Sequence, residues 1–345
     1  MHKSMPIASD ASSATPRLAQ RPAWLWRYAK ASLASLLLIV IVTEIMLRLT
    51  LGLGTPVLYQ RDADAGYIVV PSQDVQRFGV SIHINGFGMR SDDILPHKRE
   101  GTYRVFFLGD SVAYGTSRVD QSEIFPSIVQ RRIPVVVHEE VEVLNASAGG
   151  WAPSNELAFL RSRGTFESDV VVFVINTLDL SQPFETLSGD QMTPYSDMPA
   201  DRPVSAVAEV FIRYLLPRLK GSSETHDPGS VESPVDPAKE VPPILDSLRR
   251  AKEFAQASGA WFAILFTPKY SIAGRADWTL AKQMFLDWAR AGNVTVIDMS
   301  QDFLSVPVAR YYIENIHPNS AGHALIAQRL LENWPLISGV AITGQ

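Results

Sequence analysis

Residues 106–115 read F-F-L-G-D-S-V-A-Y-G. Tyr103–Leu108 is a short apolar run with turn residues after it, which is how a buried strand reads. Gly109 and Asp110 end that run, and a tight turn then delivers Ser111. A second segment, residues 314–323, reads E-N-I-H-P-N-S-A-G-H and places His317 just ahead of a helix, with Glu314 three positions earlier. Serine, histidine and carboxylate are the parts of an activated nucleophile: the imidazole takes the hydroxyl proton and the carboxylate orients the imidazole. A serine esterase or acyltransferase is the expectation from these two segments.

Outward from Ser111 the chain alternates strands and helices. Strands are expected at Tyr103–Leu108, Val141–Asn145, Asp169–Ile175, Ala260–Thr267 and Val294–Met299; the third, D-V-V-V-F-V-I, is almost entirely β-branched and apolar on both faces. Helices are expected at Ser122–Arg131, Ser154–Arg163, Pro243–Ser258, Asp277–Ala291 and Ser320–Asn333. Such alternation, with strands apolar on both faces, predicts a parallel sheet covered on both sides. Ligands of such sheets bind beyond the carboxyl ends of the strands, the rim expected to hold Ser111, Gly150 and Asn176. Residues 181–241 break the alternation. They hold an amphipathic stretch, Ala206–Lys220, and a polar Gly/Ser/Pro/Glu tract, Gly221–Val241, expected to be mobile. The insertion reads as a lid, a membrane-proximal element or a surface decoration.

The 345 residues suffice for one α/β domain with an appendage. A net charge of −5 gives no reason to expect nucleic acid, and the chain has no cysteine, which removes thiol nucleophiles, disulfides and thiolate metal sites. No cofactor and no metal are expected: His317 and His323 are six residues apart with no carboxylate cluster beside them. Residues 1–23 read as a disordered cytoplasmic tail and 24–54 as a transmembrane anchor, since a span needs about 20 mostly apolar residues. Trp24, Trp26 and Tyr28 supply an interfacial aromatic belt, and Lys3, Arg17, Arg21, Arg27 and Lys30 lie on the N-terminal side. The positive-inside rule then puts residues 101–340 outside the cytoplasm, in the periplasm or beyond; a cleavable signal peptide is the competing reading. Glu44 and Arg48, four residues apart, read as a neutralising pair or as a contact to a membrane partner. Residues 55–100 read as a connector in which N-G-F-G-M-R, residues 85–90, is a glycine-rich turn with little chemistry of its own.

G-D-S after a buried strand, followed far downstream by H-P-N-x-x-G-H, resembles the SGNH (GDSL-type) hydrolase superfamily, over residues 101–335 or so. The anchor, connector and domain together resemble its membrane-anchored bacterial members. The resemblance implies a flavodoxin-like three-layer α/β/α sandwich with a five-stranded parallel sheet, in which Ser111 is the nucleophile and its N–H serves the oxyanion hole. In N-A-S-A-G-G-W it matches Gly150 to the oxyanion glycine, or Gly149 if the register slips by one. The third block departs from the family. Where the pattern is G-x-N-D, this chain reads I-N-T-L-D, so Leu178 stands in the place of the asparagine. Leucine donates no hydrogen bond. Asn176 lies two residues earlier on the same strand face, about 6–7 Å back, and reaches the oxyanion only if the chain bends. In the last block Glu314 stands where the family has aspartate, and His317 is the base. Trp151 and Tyr114 flank the motifs and either stack on a sugar ring or fill core. Lys269 either lines the rim or faces solvent.

The implied activity is that of a membrane-anchored extracytoplasmic serine esterase or O-acyltransferase on acyl, acetyl above all, esters of cell-surface or exopolysaccharide glycans. The expected partners are the glycan or another acyl ester, the inner membrane, and a membrane acyltransferase. With the third block altered, the alternative is a catalytically degenerate domain that binds glycan or scaffolds an envelope assembly. A lipase-like enzyme with Ala206–Lys220 as lid is a third reading.

Overall fold

The computed structural model describes residues 23–133, 140–219 and 234–339. The tail 1–22, expected to be disordered, and most of the polar tract after Lys220 lie outside the described residues. The chain divides into two compact units, Met1–Ile45 and Met46–Gln345.

The first unit, in its described part, is the leading portion of a helix, Ala23–Leu51. At 1.5 Å rise per residue, 29 residues extend about 43 Å. Its stretch Trp26–Leu51 is long and apolar enough to cross a membrane, and no residue of it is fully buried.

Among its described residues the second unit holds nine strands. β1 (Tyr59–Asp62) pairs antiparallel with β2 (Gly66–Val69), and β3 (Gln73–Arg77) with β4 (Val80–Ile84). The other five are β5 (Thr102–Gly109), β6 (Glu140–Ser147), β7 (Val170–Asn176), β8 (Trp261–Thr267) and β9 (Thr295–Asp298). They form one parallel sheet in the order β6-β5-β7-β8-β9. This is the flavodoxin-like order, whose switch point lies at the first strand, here β5, with β6 on one side and β7 on the other.

Side-chain alternation sends each sheet strand into two cores. Phe106, Leu108, Val171, Phe173, Ile175, Ile264 and Phe266 face helices Pro153–Arg163, Pro237–Ala257 and Ala276–Ala291. Val105, Phe107, Val172, Val174 and Leu265 face helices Phe125–Arg132 and Ser320–Glu332. The result is the expected three-layer sandwich.

Two boundaries differ from the sequence reading. The stretch 55–100 is not a connector. Its Tyr59, Tyr67, Ile68, Val69, Val75, Ile82 and Ile84 belong to the same core as the inner sheet face, so the domain begins before residue 101. The polar tract expected to extend to Val241 gives way at Pro237, where a proline at the first helical position starts the helix six residues earlier than expected.

Candidate active site

Four local devices position Ser111. Gly109 ends β5 where nothing larger fits: a Cβ there would lie 2.7 Å from Ala113 Cβ and 2.9 Å from Val174 Cβ. Asp110 caps the one-turn helix Ser111–Tyr114, its carboxylate accepting from Val112 N–H at 2.8 Å. Asn145 Nδ2 donates to the Ala113 carbonyl at 2.9 Å at the other end of that turn. Arg90 completes the set from the buried end of N-G-F-G-M-R. Its guanidinium donates to the carbonyls of Tyr114, Thr116 and Val119 at 2.6–2.7 Å and to Gln121 Oε1 at 3.1 Å, and lies 5.1 Å over the Tyr114 ring. The turn read as chemically idle therefore holds the loop that follows the nucleophile.

The downstream motif is as specific. Asn319 caps helix Ser320–Glu332 through Gly322 N–H at 3.0 Å, and its own N–H donates to the Tyr311 carbonyl at 2.9 Å. Any side chain at Gly322 would collide with that carbonyl. Ile313 N–H donates to the His317 carbonyl at 2.8 Å, closing a small loop that presents Glu314 and His317 on one side.

The three groups meet. The Ser111 hydroxyl lies 2.8 Å from His317 Nε2, across 206 residues of chain, and His317 Nδ1 is hydrogen-bonded to Glu314 Oε1. Ser111 Oγ is also 3.4 Å from Asp110 Oδ2, too long to compete with the bond to the imidazole. Glu314 sits at about 2, below the usual carboxylate range, because the hydrogen bond to His317 and the charges of His317 and Arg118 favour its ionised form. Arg118 donates to Glu314 Oε2 at 3.0 Å, a partner no sequence spacing announced. All three triad side chains are partly exposed.

Gly150 follows β6 at φ 73°, in the left-handed region that glycine occupies without strain. Its carbonyl accepts from Gln182 Nε2 at 2.7 Å, and the Gly149 carbonyl accepts from the Tyr67 hydroxyl at 2.7 Å. Ala148 N–H donates to the Gly109 carbonyl at 3.3 Å, which brings this loop beside the serine turn. Among the described residues neither Ser111 N–H nor Gly150 N–H donates to a backbone carbonyl.

Asn176 is turned elsewhere. Its Nδ2 donates to Asp110 Oδ2 at 2.8 Å and to Asp179 Oδ2 at 3.0 Å, its N–H donates to Asp179 at 2.7 Å, and its Oδ1 accepts from Leu178 N–H at 2.7 Å. Both amide hydrogens go to carboxylates, so Asn176 braces Asp110 from below rather than reaching the oxyanion. Burial pushes Asp110 up, and pushes Asp179 and Glu156 up strongly, the charge of Asp110 adding to both and that of Asp179 adding to Glu156. The result is a buried carboxyl trio under the nucleophile.

Trp151 and Tyr114, expected as substrate contacts, are core residues at 2% and 3% exposure. Trp151 Nε1 donates to the Tyr67 carbonyl at 2.9 Å on the β1–β2 hairpin. Lys269, two residues past the end of β8, is buried rather than facing solvent, its N–H donating to Thr177 Oγ1 at 2.9 Å. His323 is structural: its Nδ1 accepts from Phe125 N–H at 3.3 Å, and burial, with the charges of Arg90 and His317, holds it down at about 3. The sequence reading missed a cavity of about 360 Å³ beside the Gly150 loop, lined by Leu178, Ser181, Gln182, Val235, Glu240 and Trp278. Among the described residues no group of three His, Asp or Glu side chains is arranged to hold a metal ion.

No protein-family model matches the chain, and no curated protein matches it. Solved structures similar to it include a two-domain esterase active on acetylated mannans, crystallised with mannopentaose: 13% identity, TM-score 0.43, covering 69% of this chain and 50% of that one. The chain thus spans half the length of that esterase. A lipase/acylhydrolase from Enterococcus faecalis is 17% identical with a TM-score of 0.42, covering 70% of this chain and 100% of that one. A lipolytic protein of the G-D-S-L family from Veillonella parvula is 14% identical with a TM-score of 0.39, covering 67% and 97%.

Proposed function

We propose that this chain is an SGNH-type serine esterase or O-acyltransferase, held to the extracytoplasmic face of a membrane by residues 24–54 and acting on acyl esters of glycans. The observation that carries the reading is the unbroken line Ser111–His317–Glu314, with the serine hydroxyl 2.8 Å from the imidazole nitrogen it must protonate.

In the proposed reaction His317 Nε2 takes the Ser111 proton as Oγ attacks the ester carbonyl. Glu314 holds the Nδ1–H and stabilises the imidazolium. Ser111 N–H and Gly150 N–H hold the oxyanion; Asn176 takes no part. The tetrahedral species collapses as His317 returns its proton to the leaving alcohol, which leaves an acyl-serine. Water or a sugar hydroxyl then gives up a proton to His317 as it attacks the acyl carbonyl, and His317 returns that proton to Ser111 Oγ as the acyl–oxygen bond breaks. Water as acceptor makes the chain an esterase, and a sugar hydroxyl makes it a transferase.

A glycan is favoured by the cavity next to the oxyanion glycine. Gln182, which lines it, also holds the Gly150 carbonyl, and Ser181 and Glu240 add a hydroxyl and a carboxylate. Those polar groups suit the hydroxyls of a sugar ring.

The test is labelling of the full chain by a fluorophosphonate, read by mass spectrometry, in wild type, Ser111→Ala and His317→Ala. Label on Ser111 that depends on His317 supports the reading. No label on folded wild type sinks it and favours a degenerate glycan-binding domain, whose oxyanion hole lacks its side-chain donor.

A further inference from the structure

Within the unit that begins at Met46, the end of the apolar helix is tied to the insertion. Arg48 Nη2 donates to the Val204 carbonyl at 3.0 Å, and Gly54 N–H donates to Glu209 Oε2 at 2.7 Å. Phe78 N–H donates to the Leu51 carbonyl at 2.9 Å. Glu209 is fully buried, paired with Arg77, and Arg77 also reaches the Tyr214 hydroxyl at 3.3 Å. The helical run Ala206–Glu209, Val210–Leu215 and Leu216–Leu219 is therefore fixed beside the last turn of the apolar helix.

The outward side of that run is apolar. Phe211, Leu215 and Leu219 recur every four residues, one row on a helix surface, and are 50%, 44% and 72% exposed. Val204, at 89%, and Phe78 extend the patch toward the helix end, where Leu49 and Met46 are also exposed. The only acidic side chain on the run, Glu209, is buried against Arg77; Arg213 is ion-paired with Asp197, and Arg218 is exposed. A row of large apolar residues with cations beside it is the composition of a helix lying in the headgroup layer of a bilayer.

We infer that Val204–Leu219 is an interfacial element that enters the lipid surface where the apolar helix emerges, giving the domain a second membrane contact and a fixed orientation. The patch is continuous with the exposed apolar residues of the helix end, so the medium that receives Met46, Leu49 and Leu51 also meets Val204 and Phe78. Arg218 suits a lipid phosphate.

The chain has no cysteine, so single labels are clean. Full-length chains carrying Phe211→Cys, Leu215→Cys or Arg250→Cys, the last at an exposed position of helix Pro237–Ala257, would be spin-labelled and reconstituted in phosphatidylcholine–phosphatidylglycerol vesicles. Collision with oxygen and with a water-soluble nickel chelate would then be compared. The proposal expects the oxygen-to-nickel ratio at 211 and 215 to exceed that at 250 severalfold. A ratio equal to that at 250 overturns it, as does shielding from both reagents, which would mean a protein covers the patch. Unchanged thermal unfolding of each variant certifies that the fold survived the substitution. The outcome is independent of whether Ser111 reacts.

Discussion

Gly109→Ala puts one methyl group where the fold leaves no room, and the geometry sets the cost. The new Cβ would stand 2.7 Å from Ala113 Cβ and 2.9 Å from Val174 Cβ, where relaxed carbon contacts lie at about 3.5–4.0 Å. Neither neighbour can yield: Val174 is the register partner of Gly109 in the central strand β7, and Ala113 belongs to the turn that carries the nucleophile. The backbone around Ser111 must shift by roughly 0.6–1 Å to restore contact. The serine–imidazole distance of 2.8 Å then opens beyond the hydrogen-bond range. A displacement of that size costs on the order of 100-fold in rate. The overpacking itself costs about 1–3 kcal/mol, or several degrees at about 2–4 °C of melting temperature per kcal/mol. The assay is kcat/KM on a nitrophenyl acetate alongside thermal unfolding by circular dichroism. Gly189→Ala is the control, since nothing lies near a Cβ at that position. A Gly109→Ala variant that keeps wild-type turnover and melting temperature would refute the claim that this glycine places the nucleophile.

Glu314→Gln keeps the shape and removes the charge, and kcat should fall by about 10³–10⁴ with KM little changed. Because Glu314 sits at about 2, its contribution to stability is complete above its ordinary value of 4.5 and is lost as pH falls through about 2; acid titration of the variant beside wild type checks this. Arg90→Lys cannot span the carbonyls of Tyr114, Thr116 and Val119; each one left unpaired costs about 1–3 kcal/mol, and an unchanged urea midpoint would contradict the role given to Arg90. Glu156, raised by burial and by Asp179 and Asp110, favours the neutral form in the fold, so its effect turns destabilising as pH rises above 4.5 toward its raised value. Glu156→Gln should therefore flatten the stability profile as pH rises above 4.5, and parallel curves for variant and wild type would count against it.

The sheet was legible because its strands are apolar on both faces, so burial and β-propensity agree; D-V-V-V-F-V-I could be little else. The triad was legible because G-D-S and H-P-N-x-x-G-H are backbone constraints as much as chemistry. Gly109, Asp110, Asn319 and Gly322 each fill a steric or capping need that few residues meet. The hairpins of residues 59–84 were not read. Q-D-V-Q-R does alternate buried and exposed, but its buried positions include Gln73 and Arg77, polar residues that give no apolar signal. That omission propagated. Trp151 seemed a rim residue because its acceptor, the Tyr67 carbonyl, belongs to a hairpin the sequence did not announce. Asn176 was misplaced for a similar reason: its two carboxylate partners, Asp110 and Asp179, come from different turns, and only the folded sheet brings them under one amide.

The order in which the triad is written along the chain has a consequence for biosynthesis. Ser111 emerges early, and Glu314 and His317 follow some two hundred residues later, after four more strands of the sheet. On the proposed mechanism, a chain still being made, or one clipped before β9, carries a serine with no base to awaken it. Chemistry is then switched on only by completion, and a partly made copy forms no acyl-serine while it waits to fold.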